Sequence, residues 1–122
     1  MRLLIVDDSN MIRTRISRIV GSGKLGHIAI VGLARNGVEA VRIAKAAKPD
    51  VVTMDLTMPE MDGLPCIEAI MKILPQINIL VVSALSDKAT AIQALKLGAR
   101  GFVSKPFSDD ELQLALLDVM EQ

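Results

Sequence analysis

Four short apolar runs in this chain each end in a residue with a reactive or charged side chain. Residues 3–6 run into Asp7 and Asp8, 51–54 into Asp55, 79–82 into Ser83, and 101–104 into Lys105. Apolar runs of this length, separated by segments with helical spacing, read as buried strands of a parallel sheet. The carboxyl ends of such strands converge on one edge of the sheet, where ligands bind. Three carboxylates, a hydroxyl and an ammonium are thereby delivered to one small volume.

The segments between the runs have the caps and periodicity of helices. Ser9 or Asn10 can cap a first helix in which Ile12, Ile16 and Ile19 follow helical spacing. Arg13, Arg15 and Arg18 lie between them and are expected as a solvated face in preference to a phosphate-binding patch. Gly21, Gly23 and Gly26 close this helix in a loop, and residues 28–33 form a further strand. His27 has no neighbouring ligand candidate and reads as a surface histidine, not a metal site. Asn36-Gly37 opens a second helix with Ala40, Val41, Ala44 and Ala47 on one face, ended by Lys48-Pro49-Asp50. Ile67, Ile70, Met71 and Leu74 recur at amphipathic-helix spacing, and Cys66 near the first turn reads as an inert thiol. A fourth helix over 87–97 is closed by Gly98. A fifth, capped by Ser108 or Asp109, turns Leu112, Ala115, Leu116 and Val119 inward. Five βα units without repeats or an internal linker predict one α/β domain over residues 1–122. It is a doubly wound five-stranded parallel sheet with five helices on its two faces, joined by right-handed crossovers.

Composition narrows the function. At 122 residues the chain is long enough to bury a real core. With 51% hydrophobic residues but two phenylalanines as the only aromatics, that core is expected to be aliphatic and methionine-filled. Fourteen basic residues balance fourteen acidic ones, which argues against bulk attraction to nucleic acid or an anionic membrane. No apolar stretch approaches the ~20 residues that span a bilayer. The start enters a strand directly, without the cleavage site of a signal peptide, and the lone Cys66 has no disulfide partner. Both fit a cytoplasmic protein.

The strand ends carry the chemistry. Two carboxylates ~4 Å apart at an effective dielectric of ~20 repel by about 4 kcal/mol, so the cluster either keeps protons or takes up a cation. Hard oxygens without histidine or thiolate favour Mg²⁺ over zinc, and Mg²⁺ keeps waters that a phosphate can replace. A carboxylate can itself act as nucleophile and form an aspartyl phosphate. Phosphoryl transfer then needs in-line positioning and charge neutralisation. Mg²⁺ and Lys105 supply the charge, Ser83 a hydrogen bond, and the small Ala84 leaves room. Singly, an Asp pair after a strand is often a helix cap and Lys-Pro a turn; their convergence from four strands favours function. Lys105-Pro106 is also a candidate cis peptide.

Val6-Asp7-Asp8-Ser9, the block from Met54 through Asp55, Thr57 and Pro59 to Gly63, Val82-Ser83-Ala84, and Gly98-Ala99 through Phe102 to Lys105-Pro106-Phe107 together resemble the receiver domain of two-component response regulators. The resemblance covers essentially the whole chain. It implies a flavodoxin-like fold with the strand order 2-1-3-4-5 known for chemotaxis members. It makes Asp55 the phosphoryl acceptor, served by a histidine kinase or histidine phosphotransfer protein. Asp8, Asp55 and the Thr57 carbonyl would hold Mg²⁺, with Asp7 helping through water. Lys105 would contact the phosphoryl group, Ser83 would swing toward it, and Phe102 would follow inward as the switch aromatic. Many relatives have tyrosine at that place, so Phe102 lacks a hydroxyl they can use.

The resemblance further implies a switch with self-catalysed phosphotransfer and dephosphorylation only, not a turnover enzyme. Its signal would pass to a downstream protein target through the fourth helix, fifth strand and fifth helix, as a monomer or a phosphorylation-dependent homodimer. Leu97, Leu114 and Leu117 are expected to be exposed there. The chain ends with the fifth helix, which points to a stand-alone regulator. The block 52–63 is similar to single-domain chemotaxis regulators. Ser83-Ala84-Leu85-Ser86 followed by Gly98-Ala99 also resembles the receiver part of chemotaxis methylesterases, so a fragment of such a protein is the alternative. A phosphatase of the haloacid dehalogenase type would want Asp-x-Asp where Asp7 and Asp8 are adjacent, and a cap domain that these residues do not supply. The intact set of site residues speaks against an inert adaptor.

Overall fold

The computed structural model describes residues 1–121, with only the backbone described at Leu85. The apolar runs form β1 (Arg2–Val6), β2 (Ala29–Ala34), β3 (Val51–Met54), β4 (Asn78–Ala84) and β5 (Gly101–Lys105). All neighbours pair in parallel, in the order β2-β1-β3-β4-β5. Between and after them lie α1 (Asn10–Gly21), α2 (Gly37–Ala47), α3 (Gly63–Ile73), α4 (Lys88–Leu97), preceded by a 3₁₀ turn at Leu85–Asp87, and α5 (Asp109–Met120). Each expected strand and helix is present, within two residues of its anticipated ends.

Alternation along the strands divides the core. Leu3, Ile5, Val51, Leu80, Val82 and Val103 face α1 and α5, whereas Leu4, Val6, Val52, Met54, Ile79 and Val81 face α2, α3 and α4. Because β1, β3 and β4 are covered on both sides, they read in sequence as unbroken apolar runs. The core is aliphatic, as expected, and methionines help to fill it. Met54 and Met58 are buried and Met61, Met71 and Met120 pack against the two cores, while Met11 lies largely in solvent.

Side-chain caps set three helix starts. Ser9 accepts from the Ile12 amide and Asn36 from that of Glu39, while Ser108 and Glu111 form a reciprocal capping box. Two expectations need correction. Arg13 and Arg15 do not form a solvated face: their long stems reach back onto the domain. Arg13 Nη1 donates to the Asp7 carbonyl at 2.7 Å. Arg15 lies 4.7 Å over the Phe107 ring, donates to the Phe107 carbonyl and pairs with Asp109 at 3.4 Å. Of the leucines expected outside, Leu114 is 67% exposed, but Leu97 and Leu117 pack against the two cores. The small Ala91 and Ala94 form the buried line of α4, which draws Leu97 into the seam with α3 and leaves Ile92 and Leu95 exposed.

The loop after β3 is held close to its own strand. Gly63 N donates to the Leu56 carbonyl at 3.0 Å, and a Cβ on Gly63 would lie 2.6 Å from Leu56 Cα and 2.7 Å from the Asp55 carbonyl oxygen. Backbone must move to admit it. Gly63→Ala is therefore expected to destabilise the domain by on the order of 1–3 kcal/mol, read as a lower urea midpoint. An unchanged midpoint would mean that the loop yields without cost.

Candidate functional site

Strand order reverses at β1, which is flanked by β2 on one side and β3 on the other. The crevice at such a reversal is where open α/β sheets bind ligands. Hydrogen bonding continues one residue past the strands there, from Asp7 N to the Ala34 carbonyl at 3.0 Å and from Asp55 N to the Val6 carbonyl at 2.9 Å. Both aspartates are thus fixed by the sheet itself. Asp7 is 1% and Asp55 4% exposed, while Asp8 faces solvent. One carboxylate oxygen from each of the three lies within 4.8 Å of the others.

Lys105 reaches this cluster from β5, its Nζ 2.8 Å from Asp7 Oδ2 and 3.6 Å from Asp55 Oδ1. The Lys105–Pro106 bond is cis, as the sequence suggested. Asp7 Oδ1 accepts from Ser9 N at 2.9 Å, and Asp55 Oδ1 from Thr57 N at 3.4 Å. Asp7 Oδ2 is buried without an aligned hydrogen-bond donor, so charge alone ties it to Lys105.

Burial, and then the charge of Asp7, push the Asp55 carboxyl from an ordinary 3.8 up to about 7, with Asp8 adding to the push. Lys105 and the Thr57 amide pull the other way. One ammonium does not balance three carboxylates. An oxygen-only donor set that carries more negative charge than its one ammonium balances fits a hard divalent cation such as Mg²⁺.

Ser83 is buried at the end of β4, but its hydroxyl does not join the carboxylate cluster. It donates to Asp87 Oδ2 at 2.8 Å, and Thr57 Oγ1 lies 3.4 Å from the same oxygen. Sequence reasoning missed Asp87. The available signal, an acid four residues after the strand-end serine, looks like an ordinary first-turn residue. Phe102 is partly buried against the α2–α4 side of the core, outside the cluster. His27 is exposed. Cys66 is buried, and burial pushes its thiol up to about 12, so it stays protonated at neutral pH.

The fold is flavodoxin-like, with an acidic, lysine-bearing edge at its switch point that is suited to a cation. Residues 3–117 match the response regulator receiver domain, and the chain belongs to that family. It is a receiver domain of two-component signalling. It is 46% identical over 115 residues to the chemotaxis protein CheY of Thermotoga maritima, covering 94% of this chain and 93% of that one. It is also 43% identical to protein-glutamate methylesterase/protein-glutamine glutaminase 2 of Carboxydothermus hydrogenoformans, over all of this chain but 34% of that protein. A chain of the CheX–CheY–BeF₃–Mg²⁺ complex from Borrelia burgdorferi superposes with a TM-score of 0.91 at 31% identity, covering 98% of this chain and 89% of that one. Among the described residues, no helix is long and apolar enough to cross a membrane.

The raised Asp55 pKa sets a pH dependence. Between about pH 4 and 7 the folded chain holds a proton that the unfolded chain has released, so stability without metal falls as pH rises through that window. The contribution is on the order of 2–4 kcal/mol. In urea unfolding with chelator present, Asp55→Asn is expected to lose this slope and to gain on wild type between pH 5 and pH 8. Parallel pH profiles for the two proteins would contradict it.

Proposed function

We propose that this chain is a phosphorylation-operated switch in which Asp55 accepts the phosphoryl group of a phosphohistidine on a histidine kinase or phosphotransfer protein. The observation that carries this reading is the state of the Asp55 carboxylate. It is nearly fully buried, its Oδ1 faces Lys105 and the Thr57 amide, and Oδ2 has no hydrogen-bond donor among the described residues. Asp7 is tied down by Ser9 and Lys105, and Asp8 lies in solvent.

Oδ2 attacks phosphorus in line, and the new P–O bond forms as the donor's P–N bond breaks, the electron pair staying on the imidazole. Asp8, Asp55 and the Thr57 carbonyl would hold Mg²⁺, with Asp7 reaching it through water, and the ion supplies neutralisation of the phosphoryl oxygens. Lys105, drawn between two carboxylates, gains a phosphoryl partner, and Ser83 offers its hydroxyl. Phe102 repacks toward the place that Ser83 leaves. The phosphoryl group shifts the population only through contacts better made in the active arrangement, and these two residues provide them.

The output face is α4, β5 and α5, with Ile92, Leu95 and Leu114 as its exposed apolar residues in place of the Leu97 and Leu117 expected earlier. Its occupant is a downstream protein or a second copy of the chain. CheY relatives matched over nearly their full length support a cytoplasmic chemotaxis regulator, one domain over residues 1–122, that performs its own phosphotransfer and dephosphorylation without turning over a separate substrate. The methylesterase match supports a second reading, the receiver part of a longer protein.

With acetyl phosphate and Mg²⁺, wild type is expected to give a phosphoryl adduct by intact-protein mass and Asp55→Asn none. Asp8→Ala is expected to weaken Mg²⁺ binding at least about tenfold with the fold retained, and Lys105→Ala to be phosphorylated without passing on the signal. An adduct mapped to another residue would overturn the assignment of Asp55. For the output face, Ile92→Ser with Leu114→Ser is expected to reduce partner binding or dimerisation by the phosphorylated form alone. Unchanged binding with phosphorylation intact would move the face elsewhere.

A further inference from the structure

Thr57 and Ser83 come from different elements, the loop after β3 and the end of β4, yet their hydroxyls meet at one acceptor, Asp87 Oδ2. Asp87 closes the 3₁₀ turn and stands at the N-cap of α4, but its side chain makes no capping bond. The carboxylate is therefore directed to Ser83 and Thr57 and not to its own helix. Ser83 is fully buried, so its hydroxyl has no water to turn to, and 2.8 Å is a well-formed, charge-assisted bond.

A serine hydroxyl carries one proton. Ser83 can give it to Asp87 or to a phosphoryl oxygen on Asp55, and not to both. Thr57, whose amide donates to Asp55 Oδ1, is drawn to the same carboxylate by its hydroxyl. Asp87 thus holds the hydroxyls of both Thr57 and Ser83, and it does so from the N-cap of the helix on the proposed output face.

We propose that Asp87 is an off-state latch, a positioning residue that keeps the Ser83 hydroxyl turned away from the acceptor. Phosphorylation must break this bond before α4 can respond, and breaking it releases the turn that starts α4. The proposal rests on the reading of Asp55 as phosphoryl acceptor. It differs from a purely structural role, in which Asp87 only satisfies a buried hydroxyl, because a latch opposes the phosphorylated state and its removal favours that state.

The test uses the full chain and beryllofluoride with Mg²⁺ as the phosphoryl mimic, with affinity measured by calorimetry. Asp87→Ala is expected to tighten beryllofluoride binding by about three- to tenfold when Ser83 is present, and by less than about twofold in a Ser83→Ala background. Asp87→Asn keeps the shape without the charge and is expected to move in the same direction, so the test survives if the alanine variant fails to fold. Equal tightening in both backgrounds would reduce Asp87 to a bulk charge effect and overturn the latch. Unchanged or weaker binding with an unchanged melting temperature would overturn it as well. Asp55→Asn is the control for the underlying reading: if it binds beryllofluoride as wild type does, the acceptor is misassigned and the latch falls for that separate reason.

Discussion

The contact on which the site depends is the one between Lys105 and Asp7. It joins the last strand to the first across β4 and β3, at 2.8 Å, with the carboxylate almost fully buried. Removing one partner of such a pair leaves a charge in a place built to exclude water, which is costly. The same ammonium also faces Asp55, so a single cation serves two buried carboxylates and neutralises neither fully. The apolar sheet supplies the rigidity that makes this shortage of positive charge tolerable. A cation and a phosphoryl group are then the natural complements, one meeting the excess charge and the other engaging the lysine.

The two sides of the sheet differ in how firmly their helices are held. On one side, α1 and α5 bury isoleucine, leucine and valine, and Arg15 reaches from α1 to the Phe107 ring, the Phe107 carbonyl and Asp109. On the other, the fully buried residues of α4 are two alanines. Stabilisation scales with the apolar area removed from water, so α4, like α2 with its buried Gly37, Ala40 and Ala44, is held by less of it than α1 and α5 are. Elements with few buried contacts are those that open or shift first. The helix that follows the Ser83–Asp87 bond is therefore also one whose packing resists a change of position less than that of α1 or α5.

How much of this could be read from the sequence follows from what fixes each feature. The strands were legible because a doubly covered sheet demands unbroken apolar runs, and the helices because their caps at Ser9, Asn36 and Ser108 are local. Asp7, Asp8, Asp55 and Lys105 were legible because strand ends converge by topology alone. The paths of Arg13 and Arg15 were not, since a long side chain that bonds a distant carbonyl leaves no periodic trace. Leu97 and Leu117 were misjudged because a helix packed against neighbours on two sides buries more than one stripe. Asp87 was invisible for a similar reason: its partners lie on two other elements, and only the folded turn brings them to one oxygen.

The parallel order of the strands bears on when the protein becomes competent. Leu3 pairs with Val51 and Ala84 with Lys105, and the lysine that completes the site belongs to the last strand, while its carboxylate partner follows the first. Contacts of such long sequence separation form late and slowly compared with local ones. On the ribosome, Asp7 emerges early and waits for four more strands before its counter-ion is made. A nascent chain can hold helices and a partial sheet, but it has no complete pocket. The switch is deaf until the fifth strand of the domain has been made.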